Sequence, residues 1–165
     1  MKKLLLMGAA AAMVLAATAP SFKAPNLDNK WAELKDLAGC HATLITFWAT
    51  WCKSCKEELK ALEPLYQKYK DQGFAVIAVN TDGPRTQAQV RTDVTSNRLS
   101  FTVILDKNGD IARLYKVGAW PTSFLLDSLN NIVSSRIGYH PGDEKKLENE
   151  LLQLLPPPEF QSSGK

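Results

Sequence analysis

Leu44-Ile45-Thr46-Phe47-Trp48-Ala49-Thr50-Trp51-Cys52-Lys53-Ser54-Cys55 is the stretch that decides the fold. Residues 44–48 are apolar or β-branched, as a strand covered on both faces requires. From Cys55 onward, Leu59, Leu62, Leu65, Tyr66 and Tyr69 recur at helical spacing, with Lys and Glu between them. Cys52 is therefore expected at the N-terminus of a helix, where unpaired N–H groups and the macrodipole favour negative charge and lower a thiol pKa. Cys55 follows one turn later, within reach of a short disulfide. One cysteine can attack and the other can resolve a mixed disulfide. The pattern points to dithiol–disulfide exchange.

Outward from this stretch, the order of elements is legible. A helix over about 53–71 is expected to stop at Gly73, followed by an apolar strand, 74–80. Residues 81–84 read as a loop, 86–97 as a polar helix, 101–105 as a short strand, 108–110 as a turn and 111–115 as a short helix. Thr122 to Leu126 and Ile132 to Ile137 form an expected hairpin across Asp127 to Asn131. Asp143 starts a last helix whose apolar positions are Leu147, Leu151, Leu152 and Leu155. This succession makes an α/β sheet with helices on both faces.

The ends of the chain read differently. Lys2 and Lys3 precede an apolar run from Leu4 to Ala17, and Ala17-Thr18-Ala19 resembles a small-x-small cleavage site. The run is shorter than the about 20 residues of a transmembrane helix. Residues 1–19 are thus expected to be a signal peptide, with a cut after Ala16 or retention as an anchor as alternatives, because Pro20 hinders cleavage after Ala19. Removal of the two lysines lowers the formal net charge from +3 to +1. A near-neutral domain, expected over 20–155, gives no electrostatic reason for a nucleic-acid partner. The proline-rich end, 156–165, reads as a flexible tail.

With Trp-Cys-x-x-Cys after the first long strand and Trp120-Pro121-Thr122 before the hairpin, the chain resembles the thioredoxin fold. Phe47-Trp48-Ala49-Thr50-Trp51-Cys52 and Val117-Gly118-Ala119-Trp120-Pro121-Thr122-Ser123-Phe124-Leu125-Leu126-Asp127 are most similar to the TlpA/ResA-like branch, exported bacterial thiol–disulfide oxidoreductases. The resemblance covers about residues 22–155. It implies a mixed central sheet with helices on both faces and a helix–strand insertion around 81–105. By the same resemblance Cys52 is the attacking cysteine and Cys55 the resolving one. Pro121 matches a cis-proline lying against the disulfide, and Trp51, Trp120 and Pro121 are the expected substrate-contacting residues. Glu58 matches a carboxylate that exchanges protons with the resolving thiol; three residues past Cys55, it shares that face of the helix. Glu57 reads as a solvated neighbour.

Two departures bear on tuning. Ordinary thioredoxins carry a buried aspartate where this chain has Thr46. Lys53-Ser54 stands between the cysteines, and Lys53 is expected to add positive charge near the thiolate, making the disulfide more oxidising. Trp120 is expected to narrow access.

No cofactor and no metal are expected. Cys40 lies about 20 Å from Cys52 at ~3.3 Å per residue along the intervening strand, and reads as a small half-buried residue. Cys40 and His41 sit at the wrong end to complete a zinc site with the Cys-x-x-Cys. A copper-handling relative with Cys52, Cys55 and His140 as ligands is the rival from another class. A peroxidase is disfavoured because no Pro-x-x-x-Thr-x-x-Cys precedes Cys52. The resemblance implies a protein-disulfide oxidoreductase of the periplasm. It is expected to reduce specific exported proteins, for example in cytochrome c maturation, and to be recharged by a membrane-bound electron donor or acceptor. Oxidation or isomerisation of exported proteins is the alternative within the same chemistry.

Overall fold

The structure, a computed structural model, describes residues 17–157. The expected signal segment lies outside the described residues up to Ala16, as does the expected tail beyond Pro157. β1 (Lys23–Pro25) and β2 (Trp31–Glu33) pair as a small antiparallel sheet, and α1 (Leu34–Leu37) follows. β3 (Ala42–Trp48) leads into α2 (Lys53–Tyr69), which tightens into a 3-10 turn over Lys70–Gln72. β4 (Phe74–Asn80), α3 (Gln87–Ser96), β5 (Thr102–Leu105) and α4 (Asp110–Leu114) come next. β6 (Thr122–Asp127), β7 (Ile132–Ile137) and α5 (Asp143–Leu151) complete the order.

Five strands form one mixed sheet in the order β5-β4-β3-β6-β7. β4 runs parallel to β3 and β5, whereas β6 is antiparallel to both β3 and β7. All seven residues of β3 are buried, which explains the near-continuous apolar run at the centre of the sheet. Leu44 and Trp48 pack with Leu59, Leu62, Val90 and Leu151 on the face covered by α2, α3 and α5. Ile45 and Phe47 face the other way, onto Phe22, Leu34, Ile111 and Tyr115. Helices therefore cover both faces, and α3 with β5 is the expected insertion, lying on the parallel edge.

The elements read from the sequence are present, with boundaries moved by one or two residues. The last helix is shorter than its apolar pattern: α5 closes at Leu151, and Leu152 is exposed while Leu147, Leu151 and Leu155 are buried. The β1–β2 hairpin and α1 had no periodic signal, since three-residue strands and a single turn are too short to show one. Cys40 is exposed rather than half-buried, because it sits in the turn ahead of β3 and not in the strand.

Two glycines set the junction where β3 and β4 begin. Gly73 ends the α2 segment in the left-handed region, at φ 84°, a conformation that glycine adopts without a Cβ penalty. Gly39 is there for lack of space: a Cβ would stand 2.3 Å from the Ala42 carbonyl oxygen and 2.4 Å from that of Gly73. These are backbone atoms held in the sheet, so they cannot move aside cheaply. Gly39→Ala is expected to destabilise the protein by about 2–4 kcal/mol. Gly118→Ala, where a Cβ meets nothing within 4 Å, should stay within about 0.5 kcal/mol of wild type. Urea denaturation of the two variants side by side measures the difference.

Candidate active site

β3 is central, so its chain must leave the sheet at the C-terminal edge and turn before a helix can cover the face. Cys52 N–H donates to the Ala49 carbonyl at 3.1 Å, closing that turn. Cys52 is then the N-cap of α2, with extended backbone (φ −89°, ψ 106°), and its Sγ accepts the Cys55 N–H at 3.2 Å. Cys52 and Cys55 form a disulfide across a Cα–Cα distance of 5.3 Å, well inside the usual range. Cys55 is wholly buried and Cys52 is 6 % exposed. Cys52 is thus the less enclosed of the two, with only a rim facing solvent. The Ser54 hydroxyl lies 3.6 Å from the Cys52 sulfur.

Glu58 stands one turn beyond Cys55 in a position the helix gives to its buried stripe. The side chain is 5 % exposed, and its Oε2 accepts the Thr46 hydroxyl at 2.7 Å from the central strand. Burial raises its pKa from the ordinary 4.5 to about 7, against the opposing pull of the Thr46 hydroxyl, the Arg136 guanidinium and Ser123. Glu57, its neighbour in sequence, is exposed. Thr46 on the central strand thus holds a carboxyl supplied by the helix.

Two further strand ends meet the cysteine turn at the same edge. β6 is antiparallel to β3 with Thr122 opposite Phe47, which sets Pro121 beside the end of β3. The Trp120–Pro121 peptide bond is cis. Trp120 is half-buried: its Nε1 donates to Thr81 Oγ1 at 3.0 Å, and its ring meets that of Trp51 edge-on at 5.7 Å between centroids. Trp51 is 68 % exposed. The tryptophan pair walls one side of the disulfide turn and leaves an aromatic surface for a partner.

Sequence reading missed Asp82. Its buried carboxylate accepts the Thr50 N–H at 2.7 Å, the Thr50 hydroxyl at 2.9 Å and the Asn80 amide at 2.7 Å. It therefore braces the cysteine turn from the end of β4. Asn80-Thr81-Asp82-Gly83, directly after a strand parallel to the one bearing the cysteines, was the available signal. Loops at that edge of an α/β sheet are where sites are assembled.

Other residues lie apart from this centre. The Lys53 side chain is 93 % exposed with Glu57 Oε1 at 4.0 Å, so its charge is spent in water and the expected effect on the thiolate is weakened by solvent screening. Cys40 and His41 stand at the opposite end of β3. His140 is exposed, and its Nδ1 lies 3.7 Å from Asp143 Oδ2. Among the described residues, no group of three or more His, Cys, Asp or Glu side chains is arranged to hold a metal ion.

A disulfide at a helix N-cap, at the edge of a five-stranded mixed sheet and beside a cis-proline, defines a thioredoxin-fold thiol–disulfide oxidoreductase. Comparison with known proteins agrees. A model of the AhpC/TSA family matches residues 15–135. The chain is 38 % identical over 144 residues to the thiol-disulfide oxidoreductase ResA of Bacillus cereus, covering 87 % of this chain and 80 % of that one. It is 36 % identical over 134 residues to the thioredoxin-like protein YneN of Bacillus subtilis, covering 81 % and 76 %. Among solved structures, a provisionally assigned thiol:disulfide interchange protein DsbE from Chlorobium tepidum superposes with a TM-score of 0.77 at 32 % identity, covering 84 % of this chain and 96 % of that one. The chain belongs to the AhpC/TSA family, as a ResA-like thiol–disulfide oxidoreductase acting on protein thiols.

The buried Glu58 makes a prediction about stability. The unfolded chain ionises this group near 4.5, whereas the folded protein holds its proton up to about 7. Between those values the unfolded state binds fewer protons, so stability falls as pH rises. The contribution is fully present below pH 4.5 and lost through pH 7. Relative to Glu58→Gln, the oxidised wild type should lose about 3 kcal/mol between pH 4 and pH 8, read from urea titrations of both proteins. Parallel stability curves would contradict a buried, proton-holding carboxyl.

Proposed function

We propose that the protein reduces disulfides of specific exported proteins on the periplasmic side of the membrane, with Cys52 as nucleophile and Cys55 as resolving thiol. The observation that carries this reading is the asymmetry of the pair. Cys52 caps α2 with its sulfur toward the turn, and Cys55 is shut inside the core. In the reduced protein the Cys52 thiolate attacks a substrate disulfide, giving a mixed disulfide and releasing one substrate thiolate. Cys55 then attacks the Cys52 sulfur, the second substrate thiolate leaves, and the protein is left with the disulfide seen here. Two electrons pass to the substrate.

Glu58 is proposed to take the Cys55 proton in the second step, because a thiol that attacks must first lose it. A carboxyl poised near neutral pH on the helical face of Cys55 supports this role. Trp51, Trp120 and Pro121 are proposed to receive the substrate chain, supported by the exposed aromatic surface and by the burial of Pro121 next to the cysteine turn. Apocytochrome c is the proposed type of client, and a membrane-bound electron donor the proposed source of the electrons that reopen the disulfide.

Export rests on Lys2, Lys3 and the apolar run that follows. A processing boundary before Ala17 is favoured over one after Ala19. The Ala17 carbonyl accepts the Ile132 N–H at 2.8 Å, and the Ala19 N–H donates to the Asn130 carbonyl at 2.8 Å, so a cut after Ala19 would remove two bonds of the folded domain. Among the described residues, no helix is long and apolar enough to cross a membrane.

Trapping separates the cysteine roles. Cys55→Ser, expressed in an exporting host, should accumulate mixed disulfides with its clients on non-reducing gels, whereas Cys52→Ser should trap few. Equal trapping by both variants would refute the assignment.

A further inference from the structure

Glu58 is buried from the direction of the cysteines, yet it is not sealed in on every side. Thr46 on β3 pairs with Ser123 on β6, and Ser123 pairs with Arg136 on β7. Directly paired residues in neighbouring strands share a face of the sheet. The three side chains therefore make one polar row across three strands, on the face that α2 covers and beneath Glu58. The row interrupts an otherwise apolar layer, flanked by Leu44, Trp48 and Leu125. At its inner end Thr46 holds the Glu58 carboxyl; at its outer end Arg136 reaches the antiparallel edge of the sheet.

A cavity of about 10 Å³ lies at the Ser123–Arg136 end of this row, with Glu58, Ser123, Arg136, Tyr139 and Asp143 in its wall. That is about the room one water molecule needs. The polar groups that share the cavity with Glu58 are Ser123 and Arg136 from the strands, Tyr139 after β7, and Asp143 and Glu144 at the start of α5; Thr46 holds the carboxyl from the sheet, and Cys55 lies one turn before it on the helix. The acids at this mouth are occupied. Asp143 Oδ1 takes Lys146 Nζ at 2.9 Å, and Glu144 Oε2 takes the Tyr139 hydroxyl at 2.9 Å. Arg136 is the basic residue in the wall. Its side chain is 20 % exposed, with Nη2 at 2.6 Å from Glu150 Oε1 and Nη1 donating to Ser134 Oγ at 3.3 Å.

We propose that Arg136 is a positioning residue for the proton step at Glu58, standing at the solvent end of the Thr46–Ser123–Arg136 row through which the carboxyl exchanges its proton with water. This rests on the proton role given to Glu58 above. In the step concerned, the Glu58 carboxylate takes the proton of the Cys55 thiol. The Cys55 sulfur bonds to that of Cys52, and the bond from Cys52 to the substrate sulfur breaks with the electron pair leaving on the substrate. The resulting carboxylic acid then gives its proton to water at the β7–α5 edge. Arg136 favours the charged carboxylate that must exist before the step and again after it, while Glu150 draws part of the guanidinium charge outward.

The test is a carbon-13 NMR titration of the Glu58 carboxyl in the oxidised protein, paired with the pH profile of substrate release from a preformed mixed disulfide at Cys52. In Arg136→Met the Glu58 midpoint should rise by about one pH unit, and release at pH 7 should slow about fivefold as the carboxylate fraction falls. Arg136→Lys should restore most of both. Glu150→Gln, which leaves the guanidinium without its outer partner, should shift the Glu58 midpoint downward. A folded Arg136→Met protein with an unchanged Glu58 midpoint overturns the proposal. If that variant fails to fold, an unchanged midpoint in Glu150→Gln overturns it instead. A release profile that Glu58→Gln leaves untouched overturns the proton role of Glu58 itself. A profile changed by Glu58→Gln but not by Arg136→Met removes only the part given to Arg136.

Discussion

A strand buried on both faces can carry chemistry only at its ends, and β3 is such a strand along its whole length. Its exit from the sheet is the constraint on which the site depends. β4 is parallel to β3 and so ends at the same edge, delivering Asp82. β6 is antiparallel and so begins there, delivering Trp120 and Pro121. The turn 49–52 is then gripped from both neighbours, by the carboxylate of Asp82 on one side and by the tryptophan pair on the other. With its geometry fixed before any client arrives, the disulfide is presented without the ordering cost of a free loop.

The carboxyl that accompanies the cysteines comes from the helix and not from the strand. A carboxyl on α2, one turn after Cys55, stays on the face of that cysteine for as long as the helix is intact. The strand supplies only a hydroxyl to hold it. Separation of the two jobs leaves the strand uncharged at its most buried point, so the sheet centre carries no ion. Ionisation of Glu58 is instead a matter of the layer between α2 and the sheet, open toward β7 and α5. Burial and polar contacts together poise the group close to the pH at which a thiol must be deprotonated.

Much of this was legible in the sequence because it is written in long periods. The strand-to-helix switch at Trp48–Lys53, the hairpin across Asp127 to Asn131 and the stripe of α2 each repeat over enough residues to be read. Glu58 was legible through the family resemblance, supported by its place three residues past Cys55; its burial depends on Thr46 and Ser123, which are far away in the chain. Asp82 escaped because a lone aspartate in a loop has no period, and two of its three hydrogen bonds come from Thr50, 32 residues away. β1, β2 and α1 escaped for lack of length. Leu152 was misassigned because α5 ends one residue before it, a limit set by the chain turning at residues 152–155 and not by the apolar pattern. Lys53 shows the opposite error: its place next to Cys52 in sequence says nothing about where a long, hydrated side chain points.

The disulfide and the buried carboxyl are held to form one titrating unit. The midpoint potential of the Cys52–Cys55 couple, measured against a thiol buffer from pH 5 to pH 9, reads this directly. An isolated two-electron, two-proton couple falls by about 59 mV per pH unit. With Glu58 coupled to the cysteines, the wild-type profile should carry a bend around pH 7 that Glu58→Gln lacks, leaving only the bends of the two thiols. A reversible couple whose slope bends at the same place in both proteins, or a disulfide that thiols cannot open while the protein stays folded, would contradict it.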